Sequence, residues 1–228
     1  MSTIADNILQ VRSRIQAATA AAGRAEHSVQ LLAVSKTKPA QDLREAYAAG
    51  LRDFGENYLQ EALGKQLELA DLPLIWHFIG PIQSNKTRAI AEHFDWVHSV
   101  DRLKIAQRLS EQRPAELPPL NICIQVNVSG EASKSGCTPA DLPALAEAIS
   151  ALPRLKLRGL MAIPEPTEDR AEQDAAFAAV QRLQAGLNLP LDTLSMGMSH
   201  DLESAIAQGA TWVRIGTALF GARDYGQP

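Results

Sequence analysis

The sequence predicts an α/β fold: a single (β/α)8 TIM barrel spanning residues 1–228, with an extra amphipathic helix in front at residues 1–24. Three observations carry this expectation. Strand-like and helix-like runs alternate for almost the whole length, which implies a parallel sheet with helices outside. The strand-like runs number eight, and eight strand–helix units in 228 residues make a compact version of a barrel whose usual size is about 250. Polar residues also collect at the C-terminal ends of those strands, the face on which such barrels keep their function. A doubly wound open sheet is the competing arrangement, but it would be unusually wide for a chain of this size.

The leading segment, MSTIADNILQVRSRIQ, places Ile4, Ile8, Val11 and Ile15 along one helical face. It has no apolar signal core. The strands then follow as VQLLAVSK, LRDFGEN, LIWHFIG, DWVHSV, LNICIQVNV, LKLRGLMAIP, TLSMG and TWVRIG. Between them lie helical patterns such as AQDLREAYAAG, SNKTRAIAEHF, PADLPALAEAIS and EDRAEQDAAFAAVQRLQAGL. Gly50 and Gly209 stand where left-handed caps would end two of the helices.

Composition narrows the function. With 46% hydrophobic and 21% charged residues and a net charge of −4, the chain has no basic footprint for nucleic acid and no polybasic tract for anionic membrane. Its apolar stretches fall short of the roughly 20 residues that a membrane helix needs. Cys123 and Cys137 are the only cysteines and lack ligand spacing. That pattern fits reduced thiols in a cytoplasmic protein, with no metal site.

Reading off the strand ends gives the candidate site. The first strand ends at Lys36, the second at Glu56 and Asn57, and the third at His77 and Gly80. The fourth, fifth and sixth end near Ser99, Asn127 and Met161. The seventh supplies Met196, Gly197 and Ser199, and the eighth supplies Arg214, Gly216 and Thr217.

Loops after strands seven and eight are where barrels habitually bind phosphate. Gly216 followed by Thr217 at a helix start lets bare N–H groups approach an anion. Ser199 reads as the N-cap of the helix that follows strand seven, with Asp201 and Glu203 in its first turn. Arg214 shares the strand face of Gly216, and its guanidinium can only donate hydrogen bonds. Leu32, Val34 and Lys36 share one strand face, so Lys36 would present an amine able to attack an aldehyde. Lys38 has the same parity but abuts Pro39, which places it in a loop. A lysine, a phosphate cradle and a ring-nitrogen partner are what a pyridoxal 5′-phosphate (PLP) site requires. A phosphate-binding barrel without aldehyde chemistry is the plainer alternative. GPIQSNKT, from Gly80, misses the phosphate-loop pattern of nucleotide hydrolases because Asn85 stands where glycine is needed.

The motifs LLAVSKTKP, FGENYLQEA, WHFIGPIQSNK, VHSVD, QVNVSGEASKSG, LRGLMAIP and SMGMSHDLESAIAQGATWVRIGTALFG resemble those of the PLP homeostasis proteins, also called the PLP-binding protein family. The resemblance runs in order from about Leu31 to Arg223. It implies a barrel like the N-terminal domain of alanine racemase, holding PLP as a Schiff base on Lys36. Ser199, Gly216 and Thr217 would then hold the phosphate, and Arg214 would face the pyridine nitrogen. Asn57 and His77 would line the pocket.

The family likeness further implies a racemase-like barrel without the racemase's second domain, since the sequence runs only to RDYGQP after the eighth strand. The expected role is PLP homeostasis by a monomer that holds the cofactor for PLP-dependent apoenzymes without appreciable turnover. An amino-acid racemase, with Lys36 as one base and Tyr58 or His200 as the other, is the alternative.

Overall fold

The computed structural model describes residues 2–130 and 135–222. Part of the QVNVSGEASKSG motif and the terminal RDYGQP therefore lie outside the described residues. Eight parallel strands close into a barrel in sequence order: β1 (Gln30–Val34), β2 (Asp53–Glu56), β3 (Ile75–Phe78), β4 (Trp96–Val100), β5 (Leu120–Gln125), β6 (Leu155–Met161), β7 (Thr193–Ser195) and β8 (Trp212–Ile215). β8 returns to pair with β1, with Leu32 opposite Arg214.

The helices outside are α1 (Ile4–Ala21), α2 (Ala40–Ala48), α3 (Leu59–Glu68), α4 (Thr87–His93), α5 (Leu103–Gln112), α6 (Leu142–Ser150), α7 (Arg170–Ala185), α8 (Leu202–Ala207) and the short α9 (Thr217–Phe220). All eight strands and the leading helix fall where the sequence patterns place them. Gly50 and Gly209 take φ of 103° and 107°, left-handed positions that a side chain would strain.

Two apolar regions divide the fold. The larger lies between sheet and helices and includes Phe54, Leu43, Ile90, Leu109, Phe177 and Leu202. A smaller one fills the barrel, where Trp96, Cys123 and Met161 pack with Ile75 and Trp212. Met161 is thus an interior residue and not part of the rim, because its side chain follows the inward parity of β6.

α1 starts at a capping box in which Thr3 and Asp6 satisfy each other's backbone N–H. Ile8, Val11 and Ile15 on its inner face are buried, each such burial contributing about 1.5–3 kcal/mol. Its polar side reaches the loops at the C-terminal face of the barrel: Asn7 donates to the Leu219 carbonyl at 2.8 Å and Arg14 to the Ser199 carbonyl at 2.9 Å. Arg14 also pairs with Glu203 at 2.8 Å, a half-exposed contact that contributes less than about 1 kcal/mol. Among the described residues no helix is long and apolar enough to cross a membrane.

Candidate functional site

At the C-terminal mouth of the barrel a cavity of about 230 Å³ is lined by Val34, Lys36, Asn57, Ser199, Arg214, Gly216 and Thr217, with Lys38, Ile79 and His200 also in its wall. Six of the seven residues singled out from the sequence are therefore brought together. Ile163 and Met198, both more than a third exposed, put apolar surface at its edge.

Lys36 stands just past the end of β1, in a turn closed by the Lys38 N–H donating to the Ser35 carbonyl at 3.1 Å. The strand is thus two residues shorter than the parity argument assumed, yet Val34 and Lys36 still face the same cavity. Lys38 is tied elsewhere, its Nζ donating to the Ala222 carbonyl at 2.8 Å. Thr37 between them has φ 66°. A β-branched residue there carries strain of roughly 1–3 kcal/mol.

What holds this turn is a buried charge cluster behind it. Lys65, buried on α3, donates to the Ser35 carbonyl at 2.7 Å and to Glu56 Oε1 at 2.6 Å, and lies 3.1 Å from Glu61. Glu61 in turn accepts from the Thr37 N–H at 2.6 Å. Glu56, at the end of β2, points outward into this cluster and not into the cavity, because residues alternate along the strand. Burial pushes its carboxyl up to about 7, against the pull of Lys65 and the Ser35 hydroxyl. Its Oε2 is buried without a hydrogen-bond partner.

The loops after β7 and β8 form the adjoining wall, since β8 pairs with β1. Gly197 has φ 100°, and a Cβ there would stand 2.6 Å from the Ala205 side chain. Gly216 lies against β1, with a Cβ position 3.3 Å from the Val34 carbonyl, and it caps α9 ahead of Thr217. Ser199 does not cap α8 as its sequence context suggested. The cap residue is Asp201, whose carboxylate accepts from the Met198 N–H at 2.6 Å, and Ser199 is left in the loop facing the cavity.

Arg214 is 5% exposed and enters the cavity from below. Its Nη1 donates to Ser195 Oγ at 2.8 Å and its Nη2 to the Ala162 carbonyl at 3.0 Å. Burial lowers its pKa to about 10, which leaves it a cation at neutral pH.

His77 does not line the cavity. It is fully buried inside the barrel, stacked on Trp96 and bonded to Asp53 and His98. Its inward parity is right but its layer is one lower than the rim. Ser99 is turned to the Gly80 carbonyl at 2.6 Å, and Asn127 accepts from Ser129 at 2.8 Å, so neither strand end joins the wall. Tyr58 is exposed and also outside it, whereas His200 is in it.

The chemistry of this wall fits an aldehyde-bearing aromatic phosphate. It offers the Lys36 amine, with Lys38 tied to the Ala222 carbonyl, two hydroxyls beside a glycine, and a guanidinium. Asn57 Oδ1 is also buried without a partner and so has hydrogen-bonding capacity to spare.

Asn57 is held by close backbone packing: a Cβ on Gly80 would come within 2.3 Å of the Asn57 carbonyl. Gly80→Ala is therefore expected to push Asn57 out of place, costing about 1–3 kcal/mol of stability. It should also weaken ligand uptake, measured by denaturant titration alongside binding. Unchanged stability and uptake would show that the backbone there yields freely.

Residues 3–224 match the family of the alanine racemase N-terminal domain, so fold and cavity define a barrel of that class. The chain is 78% identical over 228 residues to the pyridoxal phosphate homeostasis protein of Pseudomonas aeruginosa, covering all of this chain and 99% of that one. It is 56% identical over 231 residues to the protein of the same name from Escherichia coli, covering 99% of each. The chain belongs to the pyridoxal phosphate homeostasis protein family.

Among solved structures, PipY of Synechococcus elongatus with PLP bound is similar at 45% identity and a TM-score of 0.85, over 96% of this chain and all of that one. Alanine racemase of Corynebacterium glutamicum is similar in fold alone, at 18% identity and a TM-score of 0.68, over 99% of this chain and 62% of that one.

Proposed function

We propose that this protein holds PLP in the rim cavity as a Schiff base on Lys36 and serves intracellular PLP homeostasis by passing the cofactor to PLP-dependent apoenzymes. The observation that carries the reading is the meeting of Lys36, Ser199, Arg214, Gly216 and Thr217, from both ends of the sequence, in one 230 Å³ cavity. The relatives named for PLP homeostasis and the PLP-bound PipY support it. PLP supplies an aldehyde that condenses with a lysine amine, releasing one water.

Each residue has a task in that reading. Ser199 and Thr217 hydroxyls and the N–H groups at Gly216 and Thr217 hold the phosphate, and Asn57 turns its spare oxygen or amide toward the ligand. Arg214 donates to the ring nitrogen and keeps its own proton. A ring nitrogen that only accepts a hydrogen bond makes a weak electron sink, which disfavours racemisation. We therefore read the protein as a carrier without appreciable turnover, acting as a cytoplasmic monomer.

The racemase alternative needs a second acid/base group. His200 is the candidate that faces the cavity, and Tyr58 does not. Titration with PLP is expected to give a saturable yellow absorption. Prolonged incubation of the loaded protein with L-alanine or L-serine is expected to leave the enantiomer ratio unchanged. Absence of any PLP uptake would sink the binding role, and accumulation of the D-enantiomer would replace carrier by racemase.

A further inference from the structure

Behind Arg214 a continuous row of polar side chains crosses the barrel interior, otherwise filled by Trp96, Cys123, Met161 and Trp212. Arg214 Nη1 meets Ser195 Oγ at 2.8 Å, and Ser195 Oγ meets His98 Nδ1 at 2.8 Å. His98 Nε2 meets His77 Nδ1 at 2.9 Å, and His77 Nε2 meets Asp53 Oδ1 at 2.8 Å. Four of these five residues are at most 5% exposed. Asp53 is the exception: its side chain is 24% exposed and opens on a cavity of about 730 Å³ beside α1, at the opposite mouth of the barrel.

The two ends of the row fix the direction of every hydrogen bond in it. A guanidinium can only donate, so Ser195 Oγ accepts from Arg214. The acceptor-only Asp53 carboxylate, with both rings neutral, leaves His98 Nδ1 as an acceptor, so the Ser195 hydrogen goes to it. His98, neutral, then carries its proton on Nε2 and donates it to His77 Nδ1. His77 likewise carries its proton on Nε2 and gives it to the Asp53 carboxylate, which can only accept. Burial lowers the pKa of both rings, and for His98 the neighbouring His77 and Arg214 lower it further, which agrees with two neutral imidazoles.

We infer that Ser195, His98, His77 and Asp53 are positioning residues for Arg214: a one-way hydrogen-bond chain, running from the cation to the carboxylate, sets the guanidinium against the cofactor pocket and joins that pocket to the far mouth of the barrel. The inference rests on the reading of Arg214 as the group facing bound PLP. A polar chain of this kind specifies one arrangement because, with both rings neutral, reversing a link at either imidazole leaves two buried acceptors facing each other.

The test has two arms. Long-range proton–nitrogen correlation NMR on the cofactor-free protein, labelled at its histidines, reports the tautomer of each ring directly. Both His77 and His98 are expected as single Nε2–H tautomers. A proton on Nδ1 of either ring, or exchange between tautomers, would overturn the chain.

In the second arm, His98→Phe keeps an aromatic ring at a position outside the cavity wall and cuts the chain between Ser195 and His77. It is expected to speed PLP release about tenfold, the scale of a lost hydrogen bond to a charged group, and to displace the pH midpoint of the bound chromophore's absorption. Met161→Leu, in the same interior layer, is expected to do neither. Release and pH profile equal to the parent in His98→Phe would also overturn it. Should the protein fail to take up PLP at all, the functional reading falls while the tautomers still decide the chain. Should His98→Phe fail to fold, they decide it as well.

Discussion

Replacing Lys36 by alanine is expected to abolish covalent loading while leaving a weaker, reversible hold on PLP. The side chain is only partly buried and stands in a turn beyond β1, so its loss should change stability by no more than about 1 kcal/mol. The phosphate contacts proposed for Ser199, Gly216 and Thr217 come from the loops after β7 and β8 and do not depend on it. The variant should therefore bind PLP in equilibrium dialysis yet yield no pyridoxyl adduct after borohydride. Lys38, held on the Ala222 carbonyl, is not expected to take over. Full covalent loading of the variant would reassign the Schiff base to another lysine.

The largest effect on stability is expected from Lys65→Met. The parent pair is almost wholly buried, with Lys65 Nζ 2.6 Å from Glu56 Oε1. Removing one partner of a buried pair leaves the other uncompensated and costs about 3–5 kcal/mol. The cost should be greatest above pH 7 and smaller near pH 5, because Glu56 escapes the penalty by taking a proton.

The parent's own pH dependence follows from the same group. Burial raises the Glu56 carboxyl from an ordinary 4.5 to about 7, so between those values the folded chain holds a proton that the unfolded chain has released. This contribution to stability is complete below pH 4.5 and lost as pH rises through 7. Glu56→Gln should flatten that slope, and the double change Glu56→Leu with Lys65→Met should recover most of the stability lost by the single one. Because Lys65 also grips the Ser35 carbonyl, the single variant should in addition load PLP poorly. A loss under about 1 kcal/mol at pH 8 in urea titration would contradict the cluster's role.

Much of this molecule was legible from period-two strands, helical stripes and glycine caps. These place all eight strands, and a barrel's habit of binding phosphate after strands seven and eight then points to Ser199, Gly216 and Thr217. Three things were hidden. His77 stands at a strand end in the sequence and the family resemblance implies a pocket role for it, but neither gives its depth, and the structure buries it one layer below the rim. The chain behind Arg214 was invisible because His98 and Ser195 meet across 97 residues of sequence. Its only sequence signal was polar residues at inward parity on four different strands. The Lys65 cluster was missed because Lys65 sits in the inner stripe of α3 with Leu59 and Ala62, and a lysine there looks like a surface residue until the helix is docked on Glu56.

The most direct test of the account is to load the protein with PLP, reduce it with borohydride, and map the modified peptide by mass. A single pyridoxyl group on the peptide carrying Lys36, absent from Lys36→Ala, is the predicted result. A loaded protein whose adduct lies on a different lysine, or one that carries none, would contradict the assignment of this cavity as a PLP site built around Lys36.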